Sequence, residues 1–113
     1  MKNNQINYIE FKANDLNIIK EFYTKSFDWN FTDFGENYTA FSNSGIEGGF
    51  EKTDETIING ALVVLYHQDL KEIQTKIIKA GGKISTETFS FPGGKRFQFK
   101  DPSGNELAVW SDK

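Results

Sequence analysis

The sequence predicts an α+β protein in which the order strand–helix–strand–strand–strand occurs twice. Three observations carry that prediction. Two helical segments open on the same dipeptide, Asp15-Leu16 and Asp69-Leu70, 54 positions apart. Each is preceded by a strand candidate and followed by three more. The closing strands also superimpose: laying Ser44-Gly45 on Ser103-Gly104 pairs Glu47 with Glu106, Gly49 with Ala108 and Phe50 with Val109.

The first element, INYIEFK, alternates, with Ile9 and Phe11 on one face and Tyr8, Glu10 and Lys12 on the other. In the segment that follows, Asp15 has the chemistry of a helix N-cap. Leu16, Ile19, Phe22, Tyr23 and Phe27 recur behind it at helical spacing. Turn residues then separate three strands, Trp29–Phe34, Tyr38–Ser42 and Ile46–Glu51. The second half opens on GALVVLYH. Its helix is capped by Asp69, carries Leu70, Ile73, Ile77 and Ala80 as its apolar stripe, and ends at Gly81. Strands Lys83–Phe89, Lys95–Lys100 and Asn105–Trp110 complete it. Neither half has enough apolar surface to bury its helix and sheet alone, so within a single domain over residues 1–113 the halves are expected to pack together or to swap between subunits. The expected modules run from about 5 to 52 and from about 58 to 111.

Composition narrows the function. In 113 residues, 37% are hydrophobic and eleven are Phe, enough for a packed interior. A net charge of −3 with scattered lysines argues against a nucleic-acid surface. The absence of Cys excludes disulfides and thiolate chemistry. The N-terminus has no apolar run fit for a signal sequence, and Ala61–Tyr66 is far too short to cross a membrane. A cytoplasmic protein with no membrane association is the expectation.

Alternation also sorts the strand faces. Phe97, Phe99, Leu107 and Val109 form uniformly apolar faces expected to meet the helices. The opposite face presents Tyr8, Glu10, Tyr38, Arg96, Gln98, Glu106 and Trp110, the candidate ligand-binding set. FPGGKRF reads as a hairpin turn, and the only histidine, His67, as a turn residue beside the second helix cap. No phosphate-binding glycine loop and no nucleophile elbow is present.

The stretches INYIEFKANDLNIIKEFY, KIIKAGGKI and FQFKDPSGNELAVW resemble the vicinal oxygen chelate superfamily, which includes glyoxalase I, extradiol dioxygenases and fosfomycin- and bleomycin-resistance proteins. The resemblance covers essentially the whole chain. It implies paired βαβββ modules forming an open, cup-shaped mixed sheet with helices outside, and a homodimer. In metal-dependent members, four cup positions supply His, Glu or similar ligands. Carried over, they fall on Tyr8, near Gly49, on Ala61 or a neighbour, and on Ala108. This set cannot hold a divalent metal in the family manner, so neither metal nor other cofactor is expected.

Three functions remain open at this point. One is metal-free binding of a small organic ligand, with Trp110, Tyr8 and Tyr38 stacking it and Arg96 and Glu10 orienting it. The net acidity, with Glu10, Glu47 and Glu106 nearby, favours a cationic ligand. The second is a divalent-metal or metal-free lyase, isomerase or dioxygenase-type enzyme using these carboxylates, with Glu10 and Glu106 as candidate catalytic residues and Glu10, Glu47 and Glu106 as an improvised oxygen site suited to Mg or Mn. The third is a protein-interaction or regulatory subunit.

Overall fold

The computed structural model describes residues 2–113. Its first module comprises β1 (Ile9–Ala13), α1 (Leu16–Phe27), β2 (Asn30–Asp33), β3 (Tyr38–Ser42) and β4 (Gly48–Lys52). The second comprises β5 (Val63–Tyr66), α2 (Leu70–Lys79), β6 (Lys83–Phe91), β7 (Gly94–Lys100) and β8 (Glu106–Ser111). Each module forms a four-stranded mixed sheet of the same topology, β1-β4-β3-β2 and β5-β8-β7-β6. The first strand of each module runs parallel to its last, and all other pairs are antiparallel. The predicted pair of βαβββ modules is therefore the observed fold.

The registers match as well. Glu10 lies opposite Gly49, and Val64 lies opposite Ala108. Glu10 and Val64 each precede their helix cap by five residues, so Gly49 and Ala108 are equivalent, as superposing the two sequence segments predicts. Both caps act as expected: Asp15 accepts from the Ile18 N–H and Asp69 from the Glu72 N–H, at 3.0 and 3.1 Å. Helix α1 stops at Asp28, which takes the left-handed conformation (φ 60°) and returns its N–H to the Thr24 carbonyl.

Two strands begin later than the alternation suggests. Strand β1 starts at Ile9, leaving Tyr8 just ahead of it. Strand β4 starts at Gly48 because Ser44 and Gly45 form a turn, with the Ser44 hydroxyl donating to the Ile46 carbonyl at 2.7 Å. In the second module, β6 and β7 meet in a tight hairpin through Pro92 and Gly93, with Phe91 opposite Gly94. FPGGKRF is thus a turn, as the sequence predicts.

A single core joins the modules. Ile19, Phe22, Tyr23, Phe41 and Phe50 from the first pack with Ile73, Ile77, Phe97, Phe99, Leu107 and Val109 from the second. Helix α1 touches both sheets, with Tyr23 5.3 Å from Phe50 and Phe22 6.0 Å from Phe99, ring centre to ring centre. The DPSGN turn clasps the first module. Asp101 accepts from the buried Tyr23 hydroxyl at 2.9 Å, Ser103 Oγ from the Asn14 N–H, and the Lys12 carbonyl from Asn105 Nδ2. Asp101 also accepts the backbone N–H groups of Ser103, Gly104 and Asn105. Burial pushes its carboxyl above the usual range, and these donors oppose that shift.

Candidate functional site

The helix-facing residues of both sheets fill the shared core, so strand alternation turns the predicted binding residues to the opposite faces. On the first sheet, the hydroxyls of Tyr8 and Tyr38 meet at 2.5 Å. The Tyr38 ring lies across Gly49, where an added Cβ would sit 2.3 Å from its oxygen. The glycine gives the tyrosine its bed. Partial burial raises the Tyr38 phenol well above its ordinary pKa, and the neighbouring Tyr8 and Glu10 raise it further. Beside them, Lys12 pairs with Glu51.

On the second sheet the polar residues form a chain. Arg96 Nη2 donates to Gln98 Oε1 at 3.4 Å, Gln98 Nε2 to Glu106 Oε2 at 3.4 Å, and Ser85 Oγ to the same oxygen at 2.6 Å. Trp110 stands edge-on to Tyr66 at 5.3 Å and 6.4 Å from Phe91. Arg96 lies over the Phe89 ring at 5.1 Å. The structure therefore groups Tyr8, Glu10 and Tyr38 on one sheet, and Arg96, Gln98, Glu106 and Trp110 on the other. Among the described residues, no hydrogen bond, ion pair or ring contact joins the two groups. A cleft of about 510 Å³ at the module junction is lined by Phe11, Trp29 and Phe41 and by both faces of β5 from Val63 to Tyr66, but by none of the predicted binding residues.

Tyr66, Phe89, Phe91 and Ser85 belong to the second group and were absent from the predicted set. Tyr66 shares the Val64 face by simple alternation, a signal that was available. Phe89 was not legible in this way. The β6 register shifts between Ile84 and Thr86 and again between Thr86 and Phe89, which breaks the two-residue period.

The family's metal positions can now be tested by register. Gly49 and Ala108 share a row with Glu10 and Val64, while Tyr8 and Leu62 lie one step earlier on the same face. Ala61 lies ahead of β5 in a linker that Asn59 pins to Gly104 and Glu106. On either choice the set holds one carboxylate at most and no imidazole, so these residues do not fit a divalent ion. Glu10, Glu47 and Glu106 are not brought together either: among the described residues no three acidic or imidazole groups are placed to share an ion. His67 is a turn residue, its Nδ1 accepting from the Asp69 N–H at 3.0 Å. Among the described residues, no helix is long and apolar enough to cross a membrane.

Comparison with known proteins agrees with the topology. The sequence profile of the Glyoxalase/Bleomycin resistance protein/Dioxygenase superfamily matches residues 5–109, and the chain belongs to that superfamily. A sequence search of curated proteins finds no match. Among solved structures, a glyoxalase/bleomycin resistance protein/dioxygenase family enzyme from Burkholderia phytofirmans superimposes with a TM-score of 0.82 at 13% identity, over 94% of this chain and 97% of that one. A fosfomycin resistance protein from Listeria monocytogenes gives 0.81 at 16% identity, over 95% and 92%. A glyoxalase-related enzyme from Fulvimarina pelagi gives 0.78 at 16%, over 96% and 88%. At these identities the likeness is one of fold.

Proposed function

We propose that this protein binds a small organic molecule on the faces opposite its helices, and does so without the metal used by other branches of the superfamily. The observation that carries this reading is the row Glu10, Gly49, Val64 and Ala108. It has lost the ligand chemistry, while the same faces keep Tyr8, Tyr38, Arg96, Gln98, Glu106 and Trp110. Aromatic walls with a few placed polar groups are the usual composition of a small-molecule site.

Residues 1–113 act as one domain in this reading, because one core spans both modules. Each four-stranded sheet supplies half a cup, and strands β1 and β5 are sheet edges. Large apolar residues lie exposed beside those edges: Ile6, Leu62, Val64 and Tyr66. A second copy that brings its β1 against β5 would cover them and join the two groups of site residues, so the working form is a homodimer. The composition and charge favour a cytoplasmic setting without membrane or nucleic acid.

The test is a thermal-shift series on chelator-treated protein with Ni, Co, Zn, Mn and Mg. No ion is expected to raise the melting temperature beyond the buffer control, because a ligand stabilises only if it binds the folded state. A one-to-one metal that stabilises would refute the metal-free reading and restore an enzyme built on the cup carboxylates.

A further inference from the structure

The second sheet carries a transverse row whose chemistry specifies the ligand's charge. Reading across β5, β8, β7 and β6, Tyr66 is opposite Trp110, Trp110 opposite Arg96, and Arg96 opposite Phe89. A guanidinium thus stands in a line of aromatic rings, stacked on Phe89 on one side and beside Trp110 on the other. Stacking on Phe89 holds its plane.

The pairing of this cation is anomalous. No carboxylate lies within 4.0 Å of Arg96 among the described residues. Among the described residues, the one hydrogen bond of its guanidinium is the long contact from Nη2 to Gln98 Oε1. Its Nε is buried with no acceptor at all. A half-buried guanidinium ordinarily takes a carboxylate, and an unsatisfied buried donor calls for an explanation such as a missing ion. The carboxylates on this face are otherwise engaged. Glu106 lies two rows away, held by Ser85 and Gln98, and Asp112 accepts from the Tyr66 hydroxyl at 2.6 Å. The chain's net negative charge points to a cationic ligand, but local pairing decides at contact distance.

We infer that Arg96 is the anchor for the oxyanion of an aromatic carboxylic acid, whose ring lies against Trp110. This inference rests on the proposed cup site and adds the class of ligand. The planar fork of Arg96 matches a carboxylate in two parallel hydrogen bonds, and Trp110 offers the adjacent ring with an apolar surface.

Three probes with one ring and three charges test it by calorimetry: naphthalene-2-carboxylate, naphthalene-2-carboxamide and 2-naphthylmethylammonium. The carboxylate is expected to bind at least tenfold tighter than the amide, and the amine most weakly. Arg96→Gln should abolish the preference of carboxylate over amide, and Arg96→Lys should restore only part of it. The Trp110 indole N–H signal in ¹⁵N NMR spectra should shift with every probe that binds, which needs no variant at the tryptophan. Equal affinities, or tightest binding of the amine, with the Trp110 signal still moving, would overturn the charge assignment and leave the cup site standing. No binding, or binding that leaves the Trp110 signal in place, would overturn both.

Discussion

Tyr23→Phe removes one oxygen from the centre of the molecule and isolates the clasp between the modules. The Tyr23 ring is fully buried, stacked at 4.7 Å on Trp29 and 5.3 Å from Phe50, and phenylalanine preserves both contacts. What is lost is the hydroxyl bond to Asp101, a hydrogen bond to a carboxylate in a buried setting. Such bonds contribute about 1.5–3 kcal/mol. Asp101 keeps four other donors, three backbone N–H groups and the Asn105 amide, so the carboxylate is not stranded. The expected cost is therefore about 2 kcal/mol, or a melting temperature lower by about 8 °C for a chain of this size.

The sign of the pH dependence follows from Asp101. Burial already raises its folded pKa above the unfolded value, so its contribution is fullest at low pH and declines as pH rises through the folded value. Losing the Tyr23 donor raises the folded pKa further and deepens that decline. The destabilisation should then be largest at pH 7 and shrink as pH falls through the carboxylate range and Asp101 takes up a proton. Urea denaturation of both proteins at pH 7 and pH 4 measures this. A cost below about 0.5 kcal/mol at pH 7, within the scatter of ordinary surface changes, would refute the clasp. An equal cost at both pH values would refute the electrostatic account.

Other outcomes follow from the same contacts. A Cβ on Gly48 would lie 2.0 Å from the Ile9 carbonyl oxygen, a backbone atom, so Gly48→Ala should destabilise by about 2–3 kcal/mol in urea. Gly60→Ala meets nothing within 4 Å and should change stability by less than about 0.5 kcal/mol. Because Glu10 helps to raise the Tyr38 phenol, Glu10→Gln should move one tyrosine to lower pH in an ultraviolet titration at alkaline pH. An unchanged titration would show that Glu10 does not act on that hydroxyl.

Much of the architecture was legible because it rests on local rules. The Asp-Leu caps fixed the helix starts, and Phe97, Phe99, Leu107 and Val109 announced the buried faces by alternation alone. The superposition of the two closing strands was legible for the same reason, since matched turns at Ser44-Gly45 and Ser103-Gly104 set matched registers. Phe89 escaped because a register shift in β6 hides the face on which a side chain emerges. Which residues stand opposite Gly49 and Ala108 needed cross-strand pairing, because spacing from a helix cap leaves that position uncertain by one alternation.

Residue type and period, which each segment carries alone, are enough to define two βαβββ modules. Packing across the chain is what clasps DPSGN on the first module through Tyr23, Asn14 and Lys12, engages Glu106 with Ser85 and Gln98, and leaves Arg96 without a carboxylate among the described residues. Pairing is a matter of distances between residues far apart in the chain, and strand register and helix packing set those distances.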